Sequence, residues 1–207
     1  MRLSDIKTRR RKMITNNKYE IFIIGVGGQG IGVLSEVILR ACDYCGYKVK
    51  SVETHGLAQR GGTVSSHLRL GTNVYSPIIM SNSADMVVSL ERNEAMRGMN
   101  DQLKDNGTLV YYDTSWQPLN VRLTKEKNVS TIDIQNIAEE RGIKVFRTFK
   151  KDIPDIRMQN IVLLALIAKE KLIPQLATED YRSAMSDIMK DSTLELNLAL
   201  FDQIQKE

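Results

Sequence analysis

The stretch Ile21–Gly32 reads IFIIGVGGQGIG and joins an apolar run to a cluster of glycines. The run ends in glycine, as a buried strand of a parallel sheet does. Apolar residues then recur at helical spacing from Ile31 to Tyr44. Gly25, Gly27 and Gly30 fit the pattern G-x-G-x-x-G, which opens a helix after a strand. This stretch therefore predicts a strand–loop–helix unit and, with it, an α/β domain.

The rest of the chain continues the alternation of strand and helix patterns. We predict strands over residues 20–25, 47–53, 63–70, 84–91, 108–113 and 143–148, and helices over 31–44, 93–103, 134–141, 155–170, 178–190 and 193–205. The turn residues Gly71–Asn73 followed by VYSPII predict a hairpin. The expected fold is thus a single Rossmann-like domain, with a mixed, mostly parallel sheet, flanking helices and closing C-terminal helices. His67 is expected on the solvated face of its strand.

Composition bounds the class of protein. The chain has 207 residues, 42% hydrophobic content and a net charge of +4. Much of the excess charge lies in KTRRRK at residues 7–12, so we expect residues 1–18 to be a mobile basic extension and 19–207 to be the domain. Because the remainder is nearly balanced in charge, we predict no nucleic-acid partner. No apolar run is long enough to span a membrane or to act as a secretory signal, so we expect a cytoplasmic protein.

The two cysteines, Cys42 and Cys45, are spaced C-x-x-C. That spacing suits redox or zinc chemistry, but both fall near the C-terminal end of a predicted helix, where the dipole raises a thiol pKa. A structural zinc site needs four ligands, and no second pair exists. We therefore expect ordinary reduced thiols and no metal site.

The glycine loop admits two interpretations. Its exposed N–H groups and the helix dipole favour an anion, and Glu53 stands where dinucleotide folds place the acid that binds a ribose. NAD or FAD binding is one hypothesis. The other is that the glycines only allow close packing of loops.

A second glycine-rich stretch, ETHGLAQRGG at residues 53–62, follows the second predicted strand. We expect both loops to follow a parallel pair of strands and so to project from the carboxyl edge of the sheet. Arg60 could hold a carboxylate or phosphate, or it could pair with Glu53 and only rigidify the loop. No catalytic residue is certain, and His55 and Arg60 are the candidates. The full set of candidate ligand-binding or partner-facing positions is Gly25, Gly27, Gly28, Gln29, Gly30, Glu53, His55, Gly56, Gln59, Arg60, Gly61 and Gly62.

Several motifs are absent from the sequence. It has no cysteine set for an iron–sulfur cluster, no P-loop, no H-E-x-x-H and no triad motif. The chain is therefore not expected to carry a cofactor through any of these motifs.

Taken together, six stretches resemble the gamma-type subunits of 2-oxoacid:ferredoxin oxidoreductases, and among them the beta subunits of the indolepyruvate enzymes. The stretches are GVGGQGI, ETHGLAQRGG, VSSHLR, VYSP, MQNIVLLALIAKEKLIP and TLELNLALF. The resemblance covers Tyr19 to about Phe201. It does not include the basic extension, and the segment from Trp116 to Asn128 is short of recognisable features.

The resemblance implies an activity that belongs to a complex. Such complexes oxidatively decarboxylate a 2-oxoacid with coenzyme A, giving an acyl-CoA, carbon dioxide and reduced ferredoxin, and the indolepyruvate type takes aryl pyruvates. Thiamine diphosphate, Mg²⁺ and [4Fe–4S] clusters are expected in a large partner subunit. The gamma-type subunit carries no cofactor and is expected to be inactive alone. Two alternatives remain at this point: a stand-alone NAD- or FAD-binding oxidoreductase domain, and a purely structural assembly subunit.

Overall fold

A computed structural model describes residues 18–54, 62–116 and 128–207. These residues form six strands and six α-helices. In chain order they are β1 (Tyr19–Val26), α1 (Ile31–Tyr44), β2 (Val49–Thr54), β3 (Thr63–Leu70), β4 (Ala84–Ser89), α2 (Arg92–Asp101), β5 (Leu103–Tyr112), α3 (Thr131–Glu140), β6 (Lys144–Thr148), α4 (Gln159–Lys169), α5 (Thr178–Ile188) and α6 (Asp191–Lys206). The single-domain α/β prediction is confirmed.

All six strands form one sheet in the order β2-β3-β1-β4-β5-β6. The strand β3 is antiparallel to both of its neighbours, whereas β1, β4, β5 and β6 are mutually parallel. The sheet is therefore mixed and mostly parallel, as predicted.

Helices cover both faces of the sheet because its strands are apolar on both sides. Side chains of β1 alternate between the faces: Ile21 and Ile23 join one buried cluster, and Phe22 and Ile24 join the other. The first face carries α1 and α4, with α5 packed on α1 and α6 packed on α4. We call it the α1 face. The opposite face, which we call the α2 face, carries α2 over β1, β4 and β5, and α3 over β6.

The predicted hairpin lies one element earlier than expected. Residues 74–79 form no strand; instead β2 and β3 pair antiparallel, from Val49 opposite Leu70 to Thr54 opposite Ser65. Residues 55–62, which contain the second glycine stretch, connect these two strands. In consequence β1 and β2 point the same way but are not neighbours, because β3 lies between them. The prediction that they form a parallel pair was wrong, since an alternating pattern marks a strand without specifying its partner.

The prediction of a solvated His67 was also wrong. Only 8% of the residue is exposed, and its ring packs edge-on against Phe22 with centroids 4.9 Å apart. Residues 71–83, which we call the 71–83 segment, cover it: the backbone N–H of Ile79 donates to His67 Nδ1 at 3.2 Å. The chain after β3 turns back and covers the face of β3 that carries His67, although the alternation of residues in β3 predicts that this face is exposed.

Candidate functional site

The first glycine loop lies where the sheet changes the side on which its helices run. After β1 the chain enters α1 on one face, and after the neighbouring β4 it enters α2 on the other. Open α/β sheets bind ligands in the crevice at such a point. The carboxyl ends of β1 and β4 therefore form the candidate site.

The side chain of Gln29 fills the mouth of this crevice. The residue is fully buried; its Oε1 accepts from the N–H of Val26 at 2.8 Å, and its Nε2 donates to the carbonyl of Leu90 at 2.9 Å. One amide thus joins the ends of the two parallel strands. A Cβ at Gly25 would lie 2.9 Å from Gln29 Oε1, so the first glycine of the motif makes room for this side chain.

The last glycine of the motif also serves an internal contact. Gly30 has φ +82° and begins α1 without a side-chain cap. A Cβ there would lie 2.6 Å from Asn160 Nδ2, and that amide donates to the Gly30 carbonyl at 3.2 Å. Gly28, by contrast, is exposed, has φ +100° and faces open space. Gln29 of the loop and Asn160 of α4 therefore close the inner side of the loop, whereas Gly28 is exposed at its outer rim.

The end of the second glycine stretch lies directly beside the first loop. The N–H of Gly27 donates to the carbonyl of Gly62 at 2.9 Å. The adjacent Thr63 donates its hydroxyl to Glu94 Oε1 at 3.1 Å, which ties the same strand end to α2. Five predicted site residues lie outside the described residues: His55, Gly56, Gln59, Arg60 and Gly61.

Glu53 reaches α1 rather than a position beside β1. Because β3 intervenes, two strand spacings, about 9.5 Å, separate β2 from β1. The Glu53 carboxylate instead approaches the first turn of α1, where a Cβ at Gly32 would lie 3.8 Å from both of its oxygens. A carboxylate there is favourable next to the positive end of the helix dipole. It is also a different place from the ribose-binding acid of a dinucleotide fold.

A cleft of about 790 Å³ opens from the outer rim of the loop. Its far wall is formed by the residues before and at the start of α4, and by the junction between α5 and α6. The lining combines the apolar side chains of Val33, Met158 and Leu196 with the cations Arg157 and Lys190, and Gly28 contributes its backbone.

Arg157 is an exposed cation of the cleft and forms an ion pair with Asp155. Its side chain is 74% exposed, and its Nη2 lies 2.6 Å from Asp155 Oδ2. The hydrogen bonds from Arg157 lower the pKa of Asp155 to about 2, so this carboxylate stays charged under ordinary conditions. Sequence reasoning missed Arg157, Asn160 and Lys190 because they come from chain segments that only the fold brings to the loop.

A buried acidic cluster lies at the start of α2, on the same edge of the sheet. Glu91 is fully buried, and its carboxylate accepts from the N–H of Glu94 at 2.9 Å and from the side chain of Asn93 at 2.8 Å. Burial raises the pKa of Glu91, while hydrogen bonds from these groups and from the N–H of Trp116 oppose that shift. The cluster caps α2 and holds the chain at Trp116; it presents no open face.

No metal site forms in residues 18–54, 62–116 and 128–207: no group there of three or more histidine, cysteine or acidic side chains could hold a metal ion. Cys42 and Cys45 are buried and not joined in a disulfide, and burial raises the pKa of Cys42 well above its ordinary value. Within the same ranges, every helix is too short or too polar to cross a membrane.

Comparison with known proteins matches this chain to one family over nearly its whole length. The model of the family "Pyruvate ferredoxin/flavodoxin oxidoreductase" matches residues 20–206. The indolepyruvate oxidoreductase subunit IorB of Pyrococcus horikoshii is 29% identical over 190 residues, which are 89% of this chain and 93% of that protein.

Two solved structures share the fold. The gamma subunit of a keto/oxoacid ferredoxin oxidoreductase from Geobacter sulfurreducens has a TM-score of 0.61 at 21% identity, covering 91% of this chain and 96% of that one. A 2-oxoglutarate:ferredoxin oxidoreductase from Magnetococcus marinus, solved with 2-oxoglutarate, coenzyme A and succinyl-CoA, has a TM-score of 0.63 at 18% identity. The match covers 91% of this chain but 30% of the Magnetococcus chain, so the fold there is one part of a longer polypeptide.

Proposed function

Because the chain belongs to the pyruvate ferredoxin/flavodoxin oxidoreductase family, we propose that it is the small subunit of an indolepyruvate-type 2-oxoacid:ferredoxin oxidoreductase. The complex would convert an aryl pyruvate and coenzyme A into an aryl-acyl-CoA and carbon dioxide. The electrons released by this oxidation would pass to ferredoxin. The name of the Pyrococcus relative supports the choice of substrate.

The closed glycine loop supports a subunit without a dinucleotide. The amide of Gln29 occupies the crevice between β1 and β4 that such a cofactor would use. Glu53 is carried away from β1 by the intervening β3. Both observations weigh against the alternative of a stand-alone NAD- or FAD-binding domain.

The carbon–carbon bond cleavage requires a cofactor that stabilises a carbanion, and the electrons require a carrier. We propose that thiamine diphosphate, Mg²⁺ and [4Fe–4S] clusters supply these functions in a larger partner subunit; membership of the oxidoreductase family supports this assignment. The chain alone is then inactive.

The outer rim of the first loop is the part of this chain that we propose faces the substrates. Gly27 and Gly62 are hydrogen-bonded, so the two glycine stretches meet at one edge. We propose that Arg60, with His55 five residues before it, holds an anionic group there, such as a coenzyme A phosphate or the 2-oxoacid carboxylate. The cations Arg157 and Lys190 and the carboxylate of Asp155 line the adjoining cleft, which leaves it with a net positive charge; that charge suits an anionic co-substrate.

Co-purification tests the subunit assignment. The tagged full-length chain should capture a large thiamine diphosphate- and iron–sulfur-bearing subunit from its native cell. The eluate should reduce a dye in a reaction that needs both indolepyruvate and coenzyme A. Recovery of the chain alone with NAD or FAD bound would refute the proposal.

Kinetics of the assembled enzyme test the loop. Changing Arg60 to Ala should raise the Michaelis constant for coenzyme A or for the 2-oxoacid, and Arg60→Lys should restore part of the loss, because a cation without the guanidinium fork still attracts an anion. Unchanged constants in both variants, with normal assembly, would reduce the role of Arg60 to a structural one. Defective assembly with normal turnover per complex would favour the purely structural subunit.

A further inference from the structure

We infer that this chain binds the larger subunit through one surface, formed by the edge strands β2 and β3 on the α2 face and by the 71–83 segment. The matching surface of the larger subunit would be an apolar patch rimmed with acidic residues. This inference rests on the proposed function, because the larger subunit is its occupant. The surface is separate from the glycine loops and from the cleft beside them.

The first observation is that, within residues 18–54, 62–116 and 128–207, the helices on the α2 face pack over β1, β4, β5 and β6 rather than over β2 and β3. On the α2 face, α2 packs over β1, β4 and β5, and α3 packs over β6. Over β3, the cover that the described residues provide is the 71–83 segment, which carries no helix. A mostly parallel sheet ordinarily has helices on both faces, so this end of the sheet is where an additional layer is missing.

The second observation is that the 71–83 segment exposes large apolar side chains. The exposed fractions of Tyr75, Ile78 and Met80 are 87%, 59% and 76%. Their neighbours Val74 and Ile79 are buried, with 6% and 2% exposed. The segment is therefore anchored by one set of apolar residues and presents another set outward. Clustered exposure of this kind marks interaction surfaces.

The third observation is that side chains of β3 hold the segment in place. Arg69 Nη1 donates to the carbonyls of Ser76 at 2.7 Å and of Ile78 at 3.1 Å. His67 accepts from the N–H of Ile79. Because the backbone is already tied down, docking through Tyr75, Ile78 and Met80 would lose little conformational entropy.

The charge around these side chains identifies the kind of partner. Lys18 and Arg69 both contact the carboxylate of Glu20, at 2.9 and 2.5 Å. Lys50 lies opposite Arg69 in the β2–β3 register and is exposed. Nearby, Lys104 pairs with Asp85 at 2.5 Å. These four cations outnumber the two carboxylates, and the segment also borders one exposed cation, Lys48, and one exposed acid, Asp101, through backbone hydrogen bonds. The surface therefore keeps a net positive charge and is complementary to a partner patch rimmed with aspartate and glutamate.

The same charge disfavours two other occupants. A second copy of this chain, related by a two-fold axis, would bring the cationic surface against itself. The N-terminal residues 1–17 contain six basic residues and one acidic residue, so they would meet the surface with like charge. A different, acidic chain fits better. The match to the Magnetococcus enzyme covers 30% of that chain, so this fold occurs there within a much longer polypeptide.

The test begins with the larger subunit that the wild-type chain captures, identified by its thiamine diphosphate content and then purified. Its dissociation constant is measured against the full-length chain and a double variant, Tyr75→Ser with Met80→Ser. We expect the constant to rise at least about tenfold, because apolar anchors dominate interface affinity. The matched control is Ile132→Ser on α3, which removes an equally accessible apolar side chain, 68% exposed, from another region. It should bind within about twofold of wild type.

Charge is tested separately. Lys50→Glu should weaken binding and flatten its salt dependence, whereas Lys144→Glu on the opposite edge strand should do neither. Thermal midpoints of all variants should match wild type, since the altered side chains are exposed. Wild-type affinity in the double variant would overturn the inference and leave the proposed function intact.

Two further outcomes would also overturn it. If the isolated chain dimerises and the double variant does not, the occupant is a second copy. If a protease cleaves residues 1–17 in the double variant but not in the wild-type chain, while both bind the larger subunit equally well, the N-terminal residues occupy the surface. Failure of the wild-type chain to capture any thiamine-bearing subunit would refute the proposed function and remove the occupant with it.

Discussion

Changing Gln29 to Ala removes the amide that joins the ends of β1 and β4. Two buried backbone groups, the N–H of Val26 and the carbonyl of Leu90, then lose their partners. An unsatisfied buried group costs about 1–3 kcal/mol. Entry of a water molecule into the vacated space would recover part of this cost. We therefore expect the free energy of unfolding to fall by about 2–4 kcal/mol, measured by urea denaturation of the purified chain.

Two companion variants sharpen the test. Gln29→Glu keeps an acceptor for Val26 but turns a carboxylate oxygen towards the Leu90 carbonyl, so it should destabilise the fold at least as much as alanine does near pH 7. Gln135→Ala removes an exposed amide on α3 that contacts Glu139 at 2.9 Å, and it should cost less than about 0.5 kcal/mol. A loss of under about 0.5 kcal/mol in Gln29→Ala as well would show that the amide is not what closes the loop. Dinucleotide binding by the wild-type chain would also contradict the claim that Gln29 closes the crevice between β1 and β4.

Three other predictions concern single residues. Burial lowers the pKa of His67, whose Nδ1 accepts from the N–H of Ile79, below the unfolded value of 6.5. The neutral ring therefore stabilises the fold fully above pH 6.5, and this stabilisation is lost as the pH falls towards the folded pKa. Urea unfolding between pH 5 and 8 should show this slope, and His67→Asn should flatten it. Gly30→Ala should destabilise the fold by more than Gly28→Ala, because both positions have positive φ but only Gly30 also meets a neighbouring amide; equal losses in thermal stability would contradict the contact. Cys42, buried and with a raised pKa, should react with a thiol reagent only at the rate of unfolding, and fast labelling of native protein would be inconsistent with its burial.

The elements that the sequence predicted best are those with strong local patterns. Apolar spacing placed α1 at residues 31–44, and alternation placed β3 at 63–70, both as observed. The helix predicted over 155–170 begins later, at Gln159, because Asp155 instead caps a short 3₁₀ turn over Ile156–Met158. Local chemistry decides where such elements begin and end, so a local pattern can reveal them.

The arrangement of the strands was not available from local pattern. Nothing in the alternation of β3 states that it inserts between β1 and β2, and this insertion separates Glu53 from β1. The roles of Gln29 and Asn160 were missed for a related reason. Their partners, Leu90 and Gly30, are brought to them by contacts between distant parts of the chain, which a reading of neighbouring residues does not contain.

The antiparallel pair β2–β3 has a consequence for motion. Within the sheet this hairpin is joined to the other strands along one line only, the pairing of β3 with β1. Breaking that line and the packing under α1 would release both strands in one cooperative opening. The free energy of separating β3 from β1 then sets how often β2 and β3 open together, and a stronger contact along this one line would slow the release of both strands.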